Sequence, residues 1–167
     1  MDLCDLLRSV RVSLVADVRS LPRSARFPQH DQEALAEQLR LRGINYEWFG
    51  RELGGRRKSV PASAQVALPV EMRSYADHMA TARFRHSVED LLGLARKQAV
   101  VILCAERQPR YCHRSFLCDY IVTVSDLRVI HLLDADLTEE HEVSPLLRWV
   151  DQRPVYDRFV TGTLFPP

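Results

Sequence analysis

The densest chemistry in this 167-residue sequence lies between Cys104 and Arg114, which reads CAERQPRYCHR. A thiolate is the reactive form of cysteine, and neighbouring cations or a helix start favour it. Cys104 stands where an apolar run ends and Glu106 follows two positions on, so these two are the candidate catalytic residues. The same segment offers a second chemistry. Cys104, Glu106, Cys112 and His113 carry donor atoms that suit zinc or iron, although C-x-E-x5-C-H is not a standard zinc spacing. Plainer readings stand beside both. Cys104 can be a small buried apolar residue, and His113 with Arg114 can pack a helix start, Arg114 bridging to Glu106. The residues name no cofactor.

Arginine is the second signal. Only Lys58 and Lys97 among the 23 basic residues are lysine, and arginine's planar fork grips phosphate or carboxylate through two bonds. The arginines cluster in three loops. The candidate anion-binding residues are Arg19, Arg23 and Ser24 in the first, Gly54, Gly55 and Arg56 in the second, and Arg110, His113 and Arg114 in the third. Tyr46 joins them, because Tyr46 and Trp48 alternate on one strand and can stack a base. The Gly54-Gly55 pair lets the backbone approach a ligand closely. It belongs to neither a Walker motif nor a G-x-G-x-x-G fingerprint. The competing readings are an Asp17–arginine ion pair that anchors the first loop, and sheet-face packing of Tyr46 and Trp48. His78, His86 and His131 show no partner pattern and read as structural. Cys4 and Cys118 read as core.

For these loops to meet, the elements between them must place them at one edge. Residues 12–18, 44–49, 99–104 and 129–133 read as strands, the first and third as apolar runs buried on both faces. Residues 2–9, 71–82, 86–97 and 112–124 read as helices, and Asp31 is placed to cap another that runs to Arg42 and ends at Gly43. Residues 51–69 form a long irregular segment, of the kind that is usually functional or disordered. A short helix is expected over 145–150, and a loosely ordered Pro-containing end. The alternation predicts an α/β fold, a layered and largely parallel sheet of about four strands flanked by helices, in a single domain. That domain is expected over 1–133, with 134–167 as a C-terminal extension packing on it or trailing from it. In open α/β sheets ligands bind beyond the carboxyl ends of the strands, where all three arginine loops would emerge.

Composition narrows the classes. Length fits one domain, since domains commonly run about 100–150 residues. An apolar fraction of 46% is that of a globular chain. No stretch approaches the roughly 18 apolar residues of a membrane helix, and the first residues lack a signal peptide's uninterrupted apolar run. A cytoplasmic location with reduced thiols and no membrane partner is therefore expected. A net charge of +1 argues against wholesale coating of a polyanion.

Five segments also carry a likeness. They are DVRSLPRS (17–24), GINYEWFGRELGG (43–55), SYADHM (74–79), LCAERQPRYCHRS (103–115) and VIHLL (129–133). Through them the chain, from about Leu3 to Leu133, resembles the family called domain of unknown function 488. The resemblance implies an intracellular α/β fold and a polar site built from these motifs, and no particular reaction. Members begin with a strand carrying a Thr-Ile-Gly-His-Ser-like segment, whereas this sequence starts in the helix that normally follows. One site residue and one edge strand are therefore expected to be missing. Cys104 to Arg110 also matches the C-x5-R loop of cysteine phosphatases and rhodanese-like sulfur carriers. That loop here lacks glycine and holds Pro109 and Glu106, whose carboxylate would repel phosphate.

Three functions follow as expectations. The first is an enzyme acting on a phosphorylated or nucleic-acid-derived substrate. The second is a non-enzymatic module that binds nucleic acid or a nucleotide. The third is a metal-stabilised domain or a rhodanese-like cysteine enzyme. The partner is an anionic small molecule or nucleic acid.

Overall fold

The valine-rich run after Arg11 forms β1 (Leu14–Asp17), buried along its whole length. A strand flanked on both sides and covered on both faces needs that composition. In the computed structural model, which describes residues 3–134 and 137–158, β1 is the middle of a three-stranded sheet. It pairs in parallel with β2 (Asn45–Trp48) on one side and β3 (Val100–Leu103) on the other, with Ala16 opposite Glu47 and Ile102. β2 alternates exposed and half-buried residues, as an edge strand with one covered face does.

Two apolar layers sandwich this sheet. On one face α1 (Leu3–Ser9) and α2 (Gln32–Arg40) bring Leu7, Leu35 and Leu39 against Val15. On the other face Ala16 and Val18 meet the larger cluster built on α4 (Val70–Met79), α5 (Ala82–Ala95) and α6 (Arg114–Val124). Thr81 caps α5 by accepting from the Phe84 amide. Asp31 stands at the N-cap of α2, but its carboxylate accepts from the Ser24 amide at 2.6 Å and so anchors the arginine loop instead. Gly43, at φ +74°, turns the chain out of the α2 end and into β2. A one-turn helix, α3 (Gly50–Leu53), follows β2 directly.

Two expectations are corrected. The parallel sheet has three strands, not about four. Residues 130–134 form β4 (Ile130–Asp134), which pairs antiparallel with β5 (Leu137–Glu140). A neighbour a few residues away closes a smaller loop than the central sheet would require. The short helix expected over 145–150 is instead β6 (Leu147–Val150), hairpinned to β7 (Arg153–Tyr156). The chain reverses there through Asp151 and Gln152, both at positive φ, a pair of conformations that fits the twist of a two-residue hairpin. The β6–β7 hairpin buries Leu147 and Tyr156 in the larger core cluster. The loosely ordered end falls outside the described residues. Among the described residues no helix is long and apolar enough to cross a membrane.

Leu39 is fully buried in the smaller cluster. Leu39→Ala is expected to lower the unfolding free energy by about 2–5 kcal/mol. Urea denaturation would show this as a shifted midpoint with unchanged slope.

Candidate functional site

The carboxyl end of β1 carries a buried ionic knot. Asp17 is fully buried, and its carboxylate takes two hydrogen bonds from Arg19 Nε at 2.9 Å and one from the Tyr46 hydroxyl at 2.7 Å. Arg19 Nη1 donates to the His30 carbonyl at 2.8 Å. A buried carboxylate requires such partners to remain charged. Burial and the bond to Asp17 push the Tyr46 phenol well above its ordinary range. Trp48 Nε1 donates to the Arg19 carbonyl at 2.9 Å. Arg19, Tyr46 and Trp48 are thus engaged in holding the strand ends, and the structure matches the Asp17–arginine reading of the first loop.

The third loop closes over this knot. Cys104 follows β3, a 3-10 turn spans Pro109–Tyr111, and Cys112 and His113 lead into α6. The Cys104 and Cys112 sulfurs lie 3.4 Å apart, and the Cys112 sulfur lies 3.4 Å from His113 Nδ1. His113 Nε2 sits 3.2 Å from the Val18 carbonyl, between Asp17 and Arg19. A carbonyl only accepts, so Nε2 carries the proton in that contact. Nδ1 is left facing the sulfur.

The proton shared by the two thiols belongs on Cys104. Hydrogen bonding from Cys104 holds the Cys112 thiol well below the ordinary range against its burial, and His113 adds to the effect. The bond to Cys112, together with burial, pushes Cys104 up. Cys112 also lies just before the first turn of α6, whose free amides and dipole favour an anion. Cys112 is 3% exposed, while Cys104 is only partly buried and is the more accessible member.

The second loop packs onto both others. Ser20 Oγ accepts from the Arg56 amide at 2.9 Å, and a Cβ on Gly54 would strike Ser20. A Cβ on Gly55 would come within 2.6 Å of His113 Nδ1, so the absence of a side chain there admits the imidazole. Residues from all three arginine loops therefore do meet. Their cations do not all converge on one point. Arg23 and Arg56 have exposed side chains. Arg110 lies over the Tyr111 ring, 4.9 Å from its centroid. Ser24 Oγ accepts from the Phe27 amide. Glu106 is exposed, and its carbonyl, rather than its carboxylate, receives Arg114 Nη2.

A family model described as "Domain of unknown function DUF488" matches residues 2–121. The chain belongs to that family. No curated protein and no solved structure gives a match. The DUF488 match spans β1 through most of α6, and so covers the Asp17 knot, both glycines and the thiol pair.

Within the DUF488 region sequence reasoning missed Tyr75, a neighbour of the thiol pair, and did not distinguish Arg57 and His78, which lie on its far side. Tyr75, fully buried on α4, stacks edge-on to His113 with ring centres 5.1 Å apart and donates to the Leu53 carbonyl. Arg57 lies close enough to Tyr75 to act on its ionisation. Its Nη1 donates to the Arg51 carbonyl, while Nε and Nη2 are buried with no acceptor among the described residues. His78 Nε2 contacts the Glu52 carbonyl at 2.7 Å, and burial lowers its pKa. Arg57, His78, Arg51 and Arg83 line one cleft of about 820 Å³. The available signals were the basic run after Gly55 and the SYADHM segment, neither of which indicates which arginine turns inward.

Two outcomes follow. Arg19→Ala, which strands Asp17, is expected to cost about 3–5 kcal/mol in urea denaturation. Iodoacetamide labelling of Cys112 is expected to persist as pH falls below the range where an ordinary thiol has protonated. Cys104→Ala, which removes the largest cause of the lowered pKa, is expected to move that labelling profile to higher pH, as peptide mass spectrometry would read.

Proposed function

We propose that the protein is a thiol-dependent enzyme in which Cys112 is the nucleophile and His113 the acid–base group, acting on a small anionic substrate. One observation carries this reading: the Cys112 sulfur lies 3.4 Å from the Cys104 sulfur and 3.4 Å from an imidazole whose far nitrogen is held by a main-chain carbonyl. Nucleophile, base and orienting group are the minimal parts of covalent catalysis. The role first expected of Cys104 passes to Cys112, with Cys104 as hydrogen-bond donor. Glu106 has an exposed side chain and is given no role in the cycle.

In the proposed cycle the Cys112 thiolate attacks an electrophilic carbon or phosphorus. The bond to the leaving group breaks, and that group departs as an anion. Water then gives a proton to His113 Nδ1 as it adds to the enzyme-bound centre, Cys112 leaves as thiolate, and the His113 proton passes to solvent. The anionic part of the substrate would rest on Arg57, whose Nε and Nη2 have no acceptor among the described residues and form half of a bidentate pair. A phosphorylated or nucleic-acid-derived small molecule fits that charge. The Tyr46 hydroxyl and the Trp48 indole N–H are engaged by Asp17 and the Arg19 carbonyl, so neither polar edge is offered to this substrate.

A panel of phosphate esters, nucleotides and acyl esters would test the proposal. Cys112→Ala is expected to abolish turnover, and His113→Ala to reduce it about 10²–10⁴-fold. Turnover that survives Cys112→Ala unchanged would remove the reading. A metal-stabilised domain is the second reading, favoured because donor atoms of Cys104, Cys112 and His113 all lie within 4.8 Å of one another. A bound ion would block Cys112 alkylation until a chelator is added, which separates the two.

A further inference from the structure

Asp119 is an acid that the catalytic reading does not use. It is 2% exposed on α6, in the middle of an apolar face. Its carboxylate is fully partnered. Oδ1 accepts from the Ser144 amide at 2.9 Å and lies 2.9 Å from His141 Nε2. Oδ2 accepts from the Tyr156 hydroxyl at 2.9 Å. All three partners come from the chain beyond the family match. An ionised carboxylate only accepts, so the contact assigns the proton of His141 to Nε2. Nδ1 then presents a lone pair.

That lone pair does not face solvent. His141 Nδ1 lies 3.0 Å from His131 Nε2, the two rings meeting nearly at right angles (82°). Cys118, one residue before Asp119, brings its sulfur to the same point, and the three donor atoms lie within 4.8 Å of one another. One thiol and two imidazoles from three separate elements therefore converge, backed by a carboxylate bonded to the outer nitrogen of one ring. In metal centres a ligating histidine commonly donates its other N–H to a carboxylate, which fixes tautomer and ring orientation.

We propose that Cys118, His131 and His141 bind a divalent transition metal of the zinc class, with Asp119 positioning His141. One sulfur and two nitrogens suit zinc or cobalt and do not suit magnesium or calcium, which take oxygen ligands. Three protein ligands leave a fourth position. His131 and His141 border an open cleft of about 1310 Å³, which gives water or a ligand a route to it. This centre is distinct from the Cys104–Cys112–His113 group and does not depend on the catalytic reading.

Cobalt titration of the full chain tests it. Stoichiometric cobalt with tetrahedral d–d bands and a thiolate-to-cobalt charge-transfer band is expected. Both are expected to remain in the Cys104→Ala/Cys112→Ala double variant. His131→Gln, at a partly exposed residue, is expected to lose them while circular dichroism shows a retained fold. Asp119→Asn is expected to weaken binding about 10–100-fold. Absence of cobalt binding in the wild-type chain overturns the proposal. So does a spectrum that survives His131→Gln undiminished, or one that the double variant abolishes, which would assign the ion to the other thiols.

Discussion

A charged carboxylate buried at the end of the central strand constrains everything around it. Asp17 has no route to water, so Arg19 must turn back along its own strand end to neutralise it, and Tyr46 must reach across from β2. A pair so placed adds little net stability over an apolar substitute, yet breaking it by removing one partner is expensive. Its effect is geometric. With residues 17 and 19 held by their side chains, the backbone between them has one conformation. The Val18 carbonyl then receives His113, and the Arg19 carbonyl receives Trp48. The imidazole of the candidate site is oriented by a peptide that the ion pair fixes.

The glycines belong to the same constraint. α3 begins immediately after β2, and Gly50 packs so closely on the Arg19 carbonyl and the Trp48 ring that any side chain would displace one of them. Gly55 then passes His113 at a distance only hydrogen allows. The second loop therefore acts as a wall that keeps the imidazole against the Cys112 sulfur. Arginine content in this loop bears on substrate charge. Its glycine content bears on whether the thiol and the imidazole can meet.

The sequence made the central sheet legible through two apolar runs, of which β1 is buried along its whole length as expected, while β3, at the sheet edge, is only partly buried. It made the loops legible as well, through glycine, proline and arginine. The partner of β4 was not legible, since an apolar run does not say whether it joins a sheet or folds back on its neighbour. The Asp-Gln reversal before β7 was hidden too, because hairpin turns with two positive φ values usually announce themselves with Asn-Gly or Asp-Gly. Within the site, residue types were readable but allegiances were not. Arg19 and Arg57 are the same amino acid in adjacent loops. One is consumed by a buried aspartate, and the other keeps two buried guanidinium nitrogens without acceptors among the described residues. Nothing local distinguishes them. Cys118 read as core and is buried, but the two imidazoles whose donor atoms lie within 4.8 Å of its sulfur come from segments beyond α6 and were not legible.

α6 links the two clusters. Cys112 and His113 stand at its start, where helix amides favour an anionic sulfur, and Cys118 and Asp119 lie further along it. The family match ends at residue 121, so the first cluster lies wholly within the matched region and the second straddles its boundary. Asp119 would otherwise be an unpaired acid in an apolar layer. Its three donors, Ser144, His141 and Tyr156, come from the segments around β5, β6 and β7. Burying that acid is therefore feasible only with those hairpins docked. Docking them is also what presents the lone pair of His141 to Cys118 and His131. Hence the interaction that seats the C-terminal hairpins and the one that assembles the second cluster share a single carboxylate, so neither can be removed without disturbing the other.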